Sequence, residues 1–371
     1  MARKRLAYML IVAMVALPMR TSLGQAEQAQ TPAGPPTADA LKAARDKGLD
    51  WLAKNQAADG SWGGEYSIAV TSFACLSYMA SADEPFAGER GKALVRGLSY
   101  IVGKQTDGVF VQQGHTWIHV QGFATLALSE AYGRSLLCKT KPDMDTGKLK
   151  AVITKAVKAI QDNQSNSGGW WYTRGSKAQH EGSTTVTAVQ ALVSAANFGI
   201  AIDAKVLERG FEYLKKCQND DGGFDYKLGD TISMKEGTAA DVATLALMKK
   251  FDYRVMVNGY KFLIKLTPPG ISKERFPYYG HFYGCMGMRL LGEELRSYRK
   301  NTDAYIAGAQ KDLLSWQKAD GSWPLKRWIV QSAKETPAYS TAFAALILSV
   351  PEARLSIFNR KPPTLPDAIV D

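Results

Sequence analysis

The sequence predicts an all-α fold, a single domain of six helix pairs set as an inner and an outer layer around one axis. Three observations predict it. A turn of the form "QAADGSWG" returns down the chain, before each turn lies a helix-like segment apolar on one face only, and after it lies one apolar nearly all round.

The turns come first. Asp-Gly or Gly-Gly followed by an aromatic recurs in "KQTDGVF", "QSNSGGWW", "CQNDDGGF" and "WQKADGSW". The turn glycines are Gly60, Gly108, Gly168, Gly222, a weaker Gly270, and Gly321, at intervals of 48, 60, 54, 48 and 51 residues. That period suits two helices and two loops. Glycine accepts a positive φ and aspartate bonds to its own backbone, so the motif makes a reversal. Gln56 is placed to bond carbonyls left open at a helix end, and Trp62 to pack against a neighbouring repeat. The motif reads as a joint between repeats and not as a catalytic element.

The segments before the turns are "DALKAARDKGLDWLAKNQ", "GKALVRGLSYIVGKQ", "GKLKAVITKAVKAIQDNQ", "AKVLERGFEYLKKCQ" and "DAYIAGAQKDLLSWQ". In the first, Leu41, Ala44, Gly48, Trp51 and Leu52 fall three or four apart while Lys42, Arg45 and Asp46 face away. This is a helix with one buried stripe. The segments after the turns, such as "SIAVTSFACLSYMA" and "YSTAFAALILSV", are apolar on all sides and predict helices buried on both faces. An open solenoid is the competing arrangement. It would want a polar capping repeat, and the last segment, "TAFAALILSV", is not polar.

The chain has 371 residues, 46% hydrophobic and 22% charged, enough to bury a large core. Residues 1–26 read as a signal peptide, with Arg3, Lys4 and Arg5 before the apolar run "LAYMLIVAMVALP". Residues 27–38 read as a flexible leader, 39–360 as the helical domain and 361–371 as a tail. The protein is therefore expected to be exported, to a periplasm or the extracellular space. The formal charge of +11 would fall by four, to +7, on losing Arg3, Lys4, Arg5 and Arg20. The remaining Lys and Arg are interleaved with acids, which argues against nucleic acid as a partner. Weak attraction to anionic lipid or a cell-envelope polymer stays open. Cys75, Cys138, Cys217 and Cys285 show no paired spacing.

"KGLDWLAKNQAADGSW", "RGFEYLKKCQNDDGGF" and "RGLSYIVGKQTDGVF" resemble the Gln-Trp repeat of squalene–hopene cyclases, the latter two with Phe for Trp. Over about residues 39–360 the chain looks like the α/α-toroid superfamily of terpenoid cyclases and protein prenyltransferase β subunits. "FPYYGHFYGCMGM" and "TPAYSTAFAALILSVPEARLSIFNR" are similar to exported bacterial prenyltransferase/squalene-oxidase-repeat proteins of unassigned activity. The resemblance implies a toroid of six inner and six outer helices whose central cavity takes an apolar or isoprenoid-type small molecule.

The family's chemistry carries over only in part. Type II cyclases use Asp-x-Asp-Asp-Thr-Ala, whose middle aspartate protonates an alkene. Laid on "GTAADVATLAL", Thr238, Ala240 and Asp241 take the three aspartate positions, so only Asp241 remains, as a candidate catalytic acid. The prenyltransferase Asp-x-Cys zinc pair is missing, and "YGCMGM" lacks the residues of an internal thioester. No metal or cofactor is expected from these motifs. The four histidines, His115, His119, His180 and His281, all precede or begin inner segments, with Glu181 and Glu236 at equivalent places. If inner helices share one direction, these residues meet at one mouth beside Trp117, Tyr279 and Tyr283. The ligand-binding candidates are His119, Trp117, His180, Glu181, Glu236, Tyr279 and Tyr283, and His281 joins Asp241 as a catalytic candidate. Helix N-termini around such a mouth would favour an anion, so a diphosphate-bearing isoprenoid is the expected ligand. The alternatives are a cyclase or prenyltransferase with relocated acids, or a metal-assisted lyase or hydrolase using the histidine rim.

Overall fold

The structure is a computed structural model that describes residues 34–110, 117–248, 251–265, 276–326, 336–361 and 363–364. The proposed signal peptide and most of the leader lie outside the described residues, as does the Gly270 turn. Residues from Pro35 onward form one compact unit. Its twelve described α-helices alternate as the repeats require. The outer helices are α1 (Ala38–Lys54), α3 (Gly88–Gly103), α5 (Thr146–Asp162), α7 (Ala204–Lys216), α9 (Tyr253–Lys265) and α11 (Arg299–Trp316). The inner helices are α2 (Ser67–Ser81), α4 (Trp117–Leu137), α6 (Gly182–Asn197), α8 (Lys235–Leu245), α10 (Pro277–Glu294) and α12 (Pro337–Ser349). Two short hairpins, β1 (Gln105–Thr106) with β2 (Val109–Phe110) and β3 (Phe224–Asp225) with β4 (Ser233–Met234), fill two of the turns.

Each inner helix packs on the next, and α12 packs back on α2, so the ring is closed. The fold is an all-α toroid. Sequence alone assigned no sixth outer helix before Gly270; α9 supplies it. The recurring turn proves to be the joint, and the same parts build it each time. The turn glycine has φ between 84° and 96° at Gly60, Gly108, Gly168, Gly222 and Gly321. A Cβ there would also sit 2.5–2.7 Å from a carbonyl oxygen of the following outer helix, so only glycine fits.

The glutamine does more than close its own helix. Gln56 Nε2 donates to Gly60 O at 2.8 Å and to Ala93 O of α3 at 2.9 Å, stitching one repeat to the next. Gln164, Gln218 and Gln317 repeat both bonds, and Gln317 reaches Ala44 O of α1 at 2.8 Å. The last repeat is thus fastened to the first.

The aromatic is a buried plate with a polar edge. Trp62, Trp170 and Trp323 are at most 1% exposed, and each indole N–H donates to a carbonyl near the end of its own outer helix: Leu52, Ile160 and Leu313. Each ring tip lies over a glycine of the next outer helix, Gly97, Gly210 and Gly48. The small residue in the helical motif exists to admit this ring. Finally, the aromatic's own backbone N–H donates to a side chain on the following inner helix: Thr71, Gln121, Thr185, Thr238 and Thr341. That bond gives the inner helices a common register.

At the far end, residues 350–360 cover the C-terminal ends of the inner helices. Leu355, Ile357 and Phe358 are fully buried. Arg360 donates to Glu294 and to the Ala246 carbonyl, and Arg289 to the Phe358 carbonyl at 3.0 Å. Buried Glu130 of α4 takes bonds from the hydroxyls of Ser194 and Ser356 at 2.9 and 2.6 Å.

Candidate functional site

The common register shows which positions face the mouth. Two residues before the turn-bonding side chain stand Ala69, His119, Ser183, Glu236 and Tyr339; Glu236 is buried and the other four are half-buried between fully buried neighbours. In α10 the equivalent of Thr341 is His281, since both are fifth in helices that open on proline. The mouth position there is Tyr279, again half-buried between buried neighbours. One turn deeper, the same face carries Phe73, Phe123, Thr187, Ala240, Tyr283 and Phe343. Phe73 is 4.5 Å from Phe123 and 4.2 Å from Phe343 between ring centroids, so aromatic rings fill this level.

Asp241 departs from the repeat. It lies three residues after the turn-bonding position, where the other inner helices have Ala74, Ala124, Ala188, Gly284 and Ala344. The scaffold asks only for a small side chain there, and this one helix places a carboxyl. Asp241 is 1% exposed, and its Oδ1 is buried without a hydrogen-bond partner. A Cβ added to Gly182 would stand 4.0 Å from its Oδ2, which places the acid beside the start of α6.

Glu181 caps that helix. Its carboxylate accepts from Thr184 N at 2.7 Å and from the Ser183 hydroxyl at 2.7 Å, and it is 1% exposed. Burial pushes both carboxyls above the usual carboxylate range, Asp241 furthest, and Glu181 and Asp225 raise Asp241 further by like charge. Glu181 has an N–H donor to stabilise its anion and Asp241 Oδ1 has none, so burial opposes the ionisation of Asp241 the more strongly. The Tyr279 hydroxyl is also buried without a partner, and burial followed by Tyr283, Glu181 and Asp241 holds it well above the ordinary phenol range. Tyr172 and Tyr226, joined hydroxyl to hydroxyl at 2.9 Å, flank the same group.

His119 belongs to this mouth. Its Nδ1 is 3.1 Å from Thr187 Oγ1 and its ring stacks on Phe123 at 5.9 Å. Burial lowers its pKa to about 4, so it is neutral near pH 7. Trp117 is half-buried, with Arg174 5.9 Å over its ring and its indole N–H buried without an acceptor. Tyr283 packs its ring 4.6 Å from Tyr279.

His281 and His180 are held by the outer layer. His281 is fully buried between α10 and α11, its Nε2 3.7 Å from Asp312 Oδ2 and its ring against Trp316. It stands where other repeats use threonine or glutamine to hold the turn, two residues past the mouth position of α10. His180 bonds the Tyr213 hydroxyl of α7 at 2.9 Å. Glu236 holds the mouth position of α8, where its carboxylate accepts from Phe276 N at 3.1 Å and ties α8 to the start of α10. His115 lies outside the described residues. The three described histidines face different partners, Thr187, Tyr213 and Asp312, and among the described residues no group of three or more His, Cys, Asp or Glu could hold a metal. Tyr226, Ser183 and Thr187 were not singled out for this site by sequence. For Ser183 and Thr187 the only signal was the inner-helix register, which needs the hydrogen-bonded joints to be seen.

No protein-family profile and no curated protein matches the sequence. Solved structures do. The type II terpene cyclase MstE from Scytonema superposes with a TM-score of 0.54 at 16% identity, over 85% of this chain and all of that one. Its complex with geranylgeranyl dihydroxybenzoate gives 0.57 at 15%, over 85% and 98%. The GH76A α-1,6-mannanase of Salegentibacter sp. HEL1_6 gives 0.61 at 10%, over 83% and 98%. At such identities the likeness shows the fold alone. The chain is an α/α toroid of the kind shared by terpenoid cyclases and such glycan-cleaving enzymes.

Proposed function

We propose that the protein takes an uncharged, apolar ligand of isoprenoid type at the mouth of its inner barrel, and that Asp241 presents a proton to it. The observation that carries this reading is Asp241 itself. It is a buried carboxyl with an unpartnered oxygen, its pKa raised by burial, at a position that the five other inner helices fill with alanine or glycine. A carboxylic acid kept protonated at neutral pH is the equipment for donating to a weak base such as an alkene. The rings of Phe73, Phe123, Tyr283 and Phe343 supply apolar surface and faces that stabilise a developing cation. Tyr279 is the second polar group that such a ligand would meet.

A diphosphate suits this mouth poorly. The positive end of α6 is already met by Glu181, and a second buried acid stands beside it. The ring cluster is closed in this structure, so binding requires Phe73, Phe123 and Phe343 to part. The MstE complex with its geranylgeranyl substrate gives this ligand class a precedent on the same fold.

Two carboxyls in one site also suit glycoside hydrolysis, and the mannanase shares the fold. The aromatic, donor-poor interior favours the isoprenoid reading. The test is to incubate the protein with squalene, geranylgeraniol and an α-1,6-mannooligosaccharide, and to follow binding and products. Isoprenoid binding, with turnover that Asp241→Asn abolishes while binding persists, supports the proposal. Binding with no turnover in wild type would leave a carrier. Cleavage of the glycan alone would overturn it.

A further inference from the structure

The β3–β4 hairpin carries an apolar stripe out of the core. Its register pairs Phe224 with Met234 and Asp225 with Ser233, so Tyr226 and Ile232 follow as the next pair outward. Side chains alternate along a strand, which puts Phe224 and Met234 on one face, and Tyr226 and Ile232 lie two residues further out along the two arms. The other face is polar and satisfied: Asn219 Nδ2 donates to Asp225 Oδ1 at 2.6 Å, and the Ser233 hydroxyl to Asp221 at 2.7 Å. Along the apolar face exposure rises from 0% at Phe224 to 38% at Met234, 36% at Tyr226 and 77% at Ile232. Among the described residues only Leu137 and Tyr253 are other large apolar side chains exposed as far, so the hairpin concentrates them.

The stripe ends at the mouth. Tyr226 O accepts from Gly182 N at 2.8 Å, and its hydroxyl meets Tyr172 beside Glu181. Exposed Lys227 follows Tyr226, and Lys235 follows Met234, against Asp230 between them.

We infer that this face is a docking surface for a lipid bilayer, with Ile232 and Met234 entering the interfacial layer and Tyr226 at its boundary. Three side chains fall far short of the roughly 800 Å² per partner that a stable protein–protein interface buries. A bilayer needs no such shape complementarity: a few apolar groups flanked by lysine give reversible, peripheral binding. No helix among the described residues is long and apolar enough to cross a membrane, so attachment through this face would be from one side. The docking rests on the hairpin alone. That it brings the mouth to a lipid-dissolved ligand rests on the proposed function.

The test is co-sedimentation of the purified protein with vesicles of phosphatidylcholine, with and without phosphatidylglycerol, and no ligand present. Wild type should partition onto both. Ile232→Ser/Met234→Ser should lower partitioning about tenfold, through lost apolar burial, with unchanged melting temperature. Lys227→Gln should weaken binding only to the anionic vesicles. Wild type remaining in the supernatant, or a double variant that binds equally, would overturn the inference. So would a concentration-dependent dimer that the double variant abolishes without any vesicle binding, since the face would then belong to a second copy. Because no ligand is used, failure here leaves the reading of Asp241 intact, and failure of that reading leaves docking intact.

Discussion

Replacing Trp323 by alanine tests whether the ring is closed by the same joint that builds its interior. The indole is fully buried, donates to Leu313 O at 2.7 Å, and has its ring tip against Gly48 of α1. An indole of this size buries about 200 Å², worth about 5 kcal/mol at 25 cal/mol per Å² before the methyl that alanine keeps. The Leu313 carbonyl also loses its donor, at about 1 kcal/mol, while partial collapse of the site recovers some of the loss. The expected cost is about 3–5 kcal/mol. Trp62→Ala, with the same burial and the same bond to Leu52 at 2.8 Å, should cost the same. Urea unfolding of both variants measures this. A cost under about 1 kcal/mol at Trp323, with the full cost at Trp62, would mean that the last repeat does not bear on the first. Unchanged stability with lost ligand binding in either variant would refute the reading of the turn as a joint.

Gly48→Ala should destabilise by about 1–3 kcal/mol, since its Cβ would meet the Trp323 ring at 2.6 Å. In a Trp323→Phe background the cost should shrink, and equal costs in the double-mutant cycle would contradict the contact. Asp241 should make stability depend on pH. Its folded pKa lies well above 3.8, so the folded state holds a proton that the unfolded state releases, and wild type loses stability as pH rises above about 4. Asp241→Asn lacks this loss, so its melting temperature should gain on wild type as pH rises above about 4; a constant difference would deny the raised pKa. Glu130→Ala strips Ser194 and Ser356 of their acceptor and should loosen residues 350–360. Faster hydrogen exchange at Ser356–Phe358, with α2 and α4 unchanged, is the expected readout.

The architecture was legible because it is repeated. Six turns at a near-constant spacing, with one-sided and all-round apolar helices between them, leave few arrangements, and the glycine and tryptophan of the joint could be assigned from their own chemistry. The second bond of each glutamine was not, because Gln56 reaches Ala93 across 37 residues and nothing local marks the partner. The mouth was harder still. Its location at the inner-helix starts followed from alternation, and His119, Glu181 and Tyr279 do gather there. His281 shows the limit: it begins an inner helix like the others, yet it stands two residues past the mouth position, which turns it to the outer layer. A helix start fixes which end of the barrel a residue occupies, and only the joint's hydrogen bond fixes the face. Asp241 could have been singled out more sharply by aligning the inner helices on that bond, where it replaces alanine or glycine.

Whether the mouth between Glu181, Asp241 and Tyr279 receives an apolar ligand is answered by a crystal structure of the protein with bound squalene or geranylgeraniol. The isoprenoid chain should lie among Phe73, Phe123, Tyr283 and Phe343, with those rings parted and one end of the ligand near Asp241. A ligand held on the outer helices, or a ring cluster left closed at saturating ligand with Asp241 untouched, would contradict it.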